Sequence, residues 1–380
     1  MKTRYISCLT ALLLSVGMFS CNRDDAGGGP VDPEGPVGVR IVVSNGDATR
    51  SVGSEATDNE IRRLRVYAFN KESGELTGYA MSDNLQGRNY LPITLSEGGD
   101  TYFYVIANDH FGPNPTVEGT SEDTSVSDWS TLTRSDLQNL VFDLSDFKGW
   151  TVNNGESISP MSNNRYREDG SEFAGKYEND FATAVNVAED RQIIPVTVQH
   201  VLGRLRLFLN KDESVADEIT VTLTRAAVYR RPDAFRLYNG GSDAIPYNNT
   251  GVDGNGSELV DVFYTSGQTN GIELTEFDGT TYTQLEPRTF LAPNTYGSEH
   301  TDGTAPASDA NKAYRLDLTV TFSYPGGGPT SKTYSVYLPP VSRNASIDVQ
   351  GAISVDIHDL SFNVMTNAWV EKEMDIPPFQ

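Results

Sequence analysis

Apolar and polar positions alternate through most of this chain, and the alternation is cleanest near its front. In Val37-Gly38-Val39-Arg40-Ile41-Val42-Val43 every odd position is apolar, the period of two that marks a half-buried β-strand. At about 3.3 Å per residue such a strand reaches roughly 23 Å, enough to cross a sandwich. Residues 44–55 then lose the pattern and hold one basic side chain, Arg50. An exposed, small and polar loop with one Arg is where a trypsin-like protease nicks. A cut between Arg50 and Ser51 would leave the strand held by non-covalent contacts alone. Each of Val37, Val39, Ile41 and Val43 would then vacate a pocket worth roughly 1.5–3 kcal/mol to whatever refills it, a groove suited to strand addition.

The alternation continues. Leu64, Val66 and Ala68 share one face, and Lys71-Glu72-Ser73-Gly74 turns the chain. Residues 90–95 and 101–107 flank Ser96-Glu97-Gly98-Gly99-Asp100, which predicts a hairpin. The run 102–107 is apolar on both faces and predicts a central strand. Residues 111–131 are polar and read as a loop. Ser135 precedes Asp136-Leu137-Gln138-Asn139-Leu140, a short helix with Ser135 as its cap, and residues 150–180 look irregular. A second block opens near Arg191, with alternation at 193–209, 219–223, 260–264, 289–291, 316–322, 334–338 and 347–357, the last interrupted at Gly351. Many short strands between turns predict an all-β chain of two sandwiches joined near residue 190.

The final segment repeats the opening pattern. Leu360, Phe362, Val364, Thr366, Ala368 and Val370 share one face, and Met374 and Ile376 resume it. Extended, residues 360–376 would reach about 56 Å. Pro377 and Pro378 stop the pairing, since neither donates a ladder hydrogen bond. Two readings stay open: a spare donor strand, or a strand that completes the second domain.

Composition adds compartment and excludes partners. The 380 residues carry 29 Lys and Arg against 52 Asp and Glu, a net charge of -23, which speaks against nucleic acid and against anionic lipid surfaces. Lys2 and Arg4 followed by the apolar run Ile6 to Met18 form a signal peptide over residues 1–20. The run ends at Met18-Phe19-Ser20-Cys21, which resembles a bacterial lipobox, although Phe19 is bulkier than the usual residue. Cys8 leaves with the signal, so Cys21 is the mature chain's single cysteine, where acyl chains would anchor it. Asn22-Arg23-Asp24-Asp25 looks like the surface-export signal of Bacteroidetes lipoproteins. Residues 21–36, rich in Gly and Pro, read as a lipidated tether.

Several stretches together resemble the fimbrillin family, the type V pilins of Bacteroidia. They are the lipoprotein start, Ile61 to Phe69 after an Arg-containing loop, Tyr102 to Asn108, Pro160-Met161-Ser162, Val198 to Leu207, and Leu338 to Val349 with Arg343-Asn344. His200-Val201-Leu202-Gly203-Arg204 departs from the family, which more often has Arg first and Ala at the glycine. The resemblance implies two transthyretin-like β-sandwich domains, residues 37–190 and 191–380, and export to the outer membrane. It implies that an arginine-specific protease cuts between Arg50 and Ser51, and that the displaced strand, Val37, Val39, Ile41 and Val43, is replaced by a donor strand from another fimbrial subunit. Carried over by position, that donor is Leu360, Phe362, Val364, Ala368, Val370, Met374 and Ile376. The presence of both a cleavage loop and a donor favours a polymerising stalk subunit of surface fimbriae over a tip or accessory subunit.

Catalytic signatures do not appear in the sequence. His110, His200, His300 and His358 lack metal-ligand spacing, and neither a Gly-x-Ser-x-Gly nor a phosphate loop occurs. Asp253-Gly254-Asn255-Gly256-Ser257 starts like a calcium loop but has Tyr264 where the closing Glu belongs. The expectation is therefore a non-enzyme without cofactor or metal. The rival is a surface glycan-binding lipoprotein, with Trp129, Trp150 and Trp369 as sugar platforms.

Overall fold

The computed structural model describes residues 35–44, 61–85, 88–109, 116–117, 124–143, 159–167, 176–179, 183–232, 234–238, 258–267, 271–294, 296–298, 302–308, 310–355 and 362–368. The first half opens with β1 (Val37–Ser44), β2 (Leu64–Asn70), β3 (Leu76–Ser82), β4 (Tyr90–Leu95) and β5 (Gly99–Ala107). Short strands follow: β6 (Thr116–Val117), β7 (Thr124–Ser125), β8 (Leu140–Asp143), β9 (Met161–Ser162), β10 (Asn164–Arg167) and β11 (Lys176–Asn179), with helix α1 (Arg134–Gln138) ahead of β8. Then come β12 (Val185–Val187), β13 (Gln192–Thr197) and β14 (Gln199–His200). The second half holds β15 (Gly203–Lys211), β16 (Thr220–Tyr229), β17 (Ala234–Arg236), β18 (Val260–Thr265) and β19 (Ile272–Glu273). It continues with β20 (Gln284–Leu291), β21 (Arg315–Ser323), β22 (Thr330–Tyr337), β23 (Ala345–Ile353) and β24 (Phe362–Ala368).

The all-β expectation holds, and the alternation explains which faces meet. In the first half the sheet β13-β1-β4 covers the sheet β14-β9-β5-β2-β3. Val39 and Ile41 of one meet Leu64, Val66 and Val105 of the other in a single apolar core. In the second half β20-β15-β23-β24 packs on β18-β16-β21-β22, with Leu205, Leu207 and Val349 against Val221, Leu318 and Val320. A third core lies between them. Tyr67, Phe69, Tyr104 and Ile106, on the outer face of β2 and β5, pack with Leu137, Phe142, Phe235, Tyr238 and Phe290. Strands β2 and β5 are thus buried on both faces, as the unbroken apolar run 102–107 predicts. All of this lies within one compact unit, residues 32–380.

Polar atoms tie the third core across the chain. Ser162 Oγ donates to the Leu237 carbonyl at 3.0 Å, and Arg343 donates from Nη1 to the same carbonyl at 2.7 Å and from Nη2 to that of Arg236 at 3.0 Å. Asn163 imitates a strand residue on the edge of β5: its amide donates to Phe103 and its side-chain oxygen accepts from the Val105 N–H, at 2.8 and 3.0 Å.

Some local expectations are corrected. Strands β4 and β5 form no hairpin: β4 pairs with β1 and β5 with β2, so residues 96–98 arch from one sheet to the other. The cause is apolar patterning on both runs, which sends each to a different sheet. Helix α1 is capped by Thr133, whose Oγ1 accepts from the Asp136 N–H while Asp136 caps Thr133 in return; Ser135 lies inside the helix. The stretch 111–131, read as a loop, contains β6 and β7, and the stretch 150–180, read as irregular, contains β9, β10 and β11, strands too short for a period of two to register. Strand β23 runs through Gly351, which pairs with both Leu209 and Phe362, and stops at Ile353.

Candidate functional site

The site is the slot that β1 fills. This strand lies between β13, to which it is parallel, and β4, to which it is antiparallel. Ile41 stands opposite Ile194 on one side and Leu91 on the other. Val37, Val39, Ile41 and Val43 point inward and are 0–3% exposed. Without β1, the two flanking strands would share no ladder, and an apolar trough about 26 Å long would open over β2 and β5. Pro92 in β4 and Pro195 in β13 sit on these flanking edge strands, where a missing N–H is tolerated. A cavity of about 230 Å³ lies between β13 and the edge facing it, lined by Phe103, Asn163, Val185, Ile194 and Val196 among others.

Both ends of β1 are tied. At its start the Gly38 N–H donates to Asp190 Oδ1 at 2.9 Å, and the Arg191 N–H donates to the Gly38 carbonyl at 2.6 Å. At its end the Val43 N–H donates to the Asn89 carbonyl and the Val198 N–H to that of Ser44, at 2.8 and 2.7 Å. On the outer face the Arg40 guanidinium lies 4.5 Å above the Tyr90 ring centroid.

Part of the tail is placed as well. Strand β24 is an edge strand paired antiparallel with β23, with Val364 opposite Val349 and Phe362 opposite Gly351. Phe362 and Val364 are buried in the second core, so over 362–368 this segment completes its own sandwich. Leu360, Val370, Met374 and Ile376 lie outside the described residues, as do Cys21, Arg50, Ser51, the 253–257 turn, Trp150, Trp369 and three of the four histidines.

The remaining candidates have other duties. Trp129 packs against the third core with the Arg65 guanidinium 4.2 Å from its ring centroid, so that face is occupied by the chain's own cation. His200 is fully buried; burial, helped by the Arg204 charge, pushes its pKa down to about 3. Among the described residues no three His, Cys, Asp or Glu side chains gather as a metal site. Three buried arginines are paired with carboxylates: Arg65 with Asp109, Arg231 with Asp261 at 3.3 Å, and Arg206 with both oxygens of Asp348 at 2.8 and 2.7 Å.

Sequence reasoning missed β13 as the parallel partner of β1, more than 150 residues on, and missed the Asp190–Arg191 turn. Only Glu189-Asp190-Arg191, a charged break between two apolar runs, signals that turn.

Residues 37–199 match the sequence profile of a family described as major fimbrial subunit protein (FimA). No curated protein matches the chain in sequence. Among solved structures, a candidate cell adhesion protein from Parabacteroides distasonis ATCC 8503 is 12% identical, with 90% of this chain and all of that chain covered at a TM-score of 0.50; it shows a shared fold. A fimbrilin from Porphyromonas gingivalis W83 is 13% identical over 89% of this chain and 98% of its own, at 0.49. The C-terminally truncated tip fimbrial protein Mfa3 of Porphyromonas gingivalis is 13% identical over 88% and 100%, at 0.48.

Proposed function

From the premise that residues 37–199 belong to the major fimbrial subunit protein family, we propose that this chain is a structural pilin that polymerises by strand exchange. An arginine-specific protease cuts between Arg50 and Ser51, β1 departs, and the C-terminal tail of the next subunit enters the slot. Before the cut the chain is an outer-membrane lipoprotein held through Cys21; afterwards it is part of a surface fimbrium, whose office is adhesion. The first sandwich, to which β13 contributes one wall of the slot, receives the donor, and the tail that follows the second sandwich supplies one.

The observation that supports this reading is the position of β1. A strand that is central, buries its alternate side chains along its whole length and is followed in sequence by residues 45–60 with a single Arg is the element whose loss creates a vacancy for another strand. Refilling four pockets, at roughly 1.5–3 kcal/mol each, drives the assembly, and ladder bonds to β4 and β13 guide the entering strand.

The tail has two routes. Either β24 leaves its own sheet, or it stays and residues after Ala368 reach the neighbour. Incubating purified chain with an arginine-specific protease and following ladders by denaturing gel and filaments by electron microscopy tests the reading. Wild type is expected to lose its residues before Ser51 and polymerise; Arg50→Ala is expected to stay whole and monomeric. Deletion of residues 360–380 stops growth under either route, whereas deletion of 369–380 stops it only under the second. Polymerisation of the 360–380 deletion would overturn the assignment of the tail as donor.

A further inference from the structure

Apolar pockets alone do not fix where a strand sits in the slot. A slip of one residue reverses every side chain and is excluded by burial, but a slip of two keeps apolar residues inward, because Val37, Val39, Ile41 and Val43 are nearly equivalent. We propose that the Asp190–Arg191 turn is a clasp that sets the register of whatever strand occupies the β1 slot. This rests on the reading that the slot accepts a replacement strand.

The clasp holds one residue at two points. Asp190 Oδ1 accepts the Gly38 N–H at 2.9 Å, and the Arg191 N–H reaches back to the Gly38 carbonyl at 2.6 Å. Arg191 adopts a left-handed φ of 65° in doing so, a conformation that a non-glycine residue takes up only when its surroundings hold it there. A Cβ on residue 38 would lie 3.1 Å from Asp190 Oδ1, so the site prefers a residue without one. A slip of two residues one way brings Pro36 to the carboxylate, and Pro has no N–H to offer. A slip the other way brings Arg40, whose Cβ presses the carboxylate back by a few tenths of an ångström and lengthens its hydrogen bond. Gly38 is the position that satisfies both points. The occupant is thus an extended segment with apolar side chains at alternate positions and, between the first two, a small residue that is not proline.

Hydrogen exchange by mass spectrometry on the intact chain decides the clasp. Asp190 is two-thirds exposed (67% for its side chain), so Asp190→Ala leaves the fold in place. Amides of residues 37–44 are expected to exchange about five- to tenfold faster in that variant, with β2 and β5 unchanged. Gly38→Val is expected to do the same in wild type and to add nothing in the Asp190→Ala background. Unchanged exchange in Asp190→Ala overturns the clasp. A second arm nicks the chain within 45–60 and chases it with excess synthetic peptide of residues 35–44. Faster replacement in Asp190→Ala supports the clasp and equal measurable rates overturn it. Absence of replacement in both proteins overturns strand exchange and leaves the clasp to the first arm.

Discussion

The hydroxyl of Tyr238 donates to the carbonyl of Val105 at 3.0 Å, a contact that runs from the second half of the chain to the middle of β5. Tyr238 is fully buried, and burial holds its hydroxyl well above the usual phenol range, so it stays protonated. The ring packs edge-on against Tyr104, centroids 5.1 Å apart. Tyr238→Phe is expected to cost about 1 kcal/mol of unfolding free energy, and Tyr238→Ala about 3–5. Because the third core joins the halves, wild type is expected to unfold in one calorimetric transition and Tyr238→Ala to separate it into two.

Within β1, the inward and outward faces should differ sharply. Ile41→Ala removes a fully buried side chain at the centre of the slot and is expected to cost about 2–5 kcal/mol. Arg40→Ala removes a cation resting on Tyr90, about 0.5–1 kcal/mol. Urea unfolding of both variants measures the contrast, and equal losses would show that β1 is not the strand that closes the first core.

The Arg206–Asp348 pair joins parallel neighbours β15 and β23, and Ser346 donates to the same carboxylate at 3.2 Å. Breaking it on one side leaves a buried charge without its partner. Arg206→Met is expected to cost about 3–5 kcal/mol, while Arg206→Met with Asp348→Leu recovers most of that loss. A double-mutant cycle by denaturant unfolding reads out the difference.

His200 makes the stability depend on pH. Its folded pKa of about 3 lies below the unfolded value of about 6.5. As the pH falls through 6.5 the unfolded chain takes up the proton first. Stability is therefore lost between about pH 6.5 and 3, by up to ~1.4 kcal/mol per pH unit, and is unaffected by this group above that window. His200→Gln is expected to be flatter than wild type between pH 7 and 5 by about 2 kcal/mol. Parallel unfolding curves for the two proteins would remove His200 as the cause.

Long strands were legible in the sequence: β1, β2, β21 and β22 fall where alternation places them, and β5 where its run apolar on both faces does. What escaped is what alternation does not encode. Partner choice was one such case, since residues 90–107 look like a hairpin until the two strands are seen to serve different sheets. Elements of two to four residues, such as β9, have no period to detect. Of the candidate slot, its inward valines and Ile41 were readable from their spacing. Its walls were not, because β13 pairs with β1 from far along the chain, and Asn163 and Asp190 act through side-chain amide and carboxylate oxygens that replace backbone partners. The tail showed the limit most plainly: the same alternation serves a strand that fills its own sandwich and one that fills another.

The parallel pairing of β1 with β13 also dictates an order of events. A parallel neighbour cannot be reached by a tight turn, and this one is separated by about 150 residues of chain, whose closure must come before the contact repays it. A nascent polypeptide emerging from its amino end cannot finish the first sandwich until residue 197 has appeared. Strands β15 and β23, parallel across a similar interval, impose the same delay on the second. Both halves therefore close late, each waiting on a strand from far along the chain.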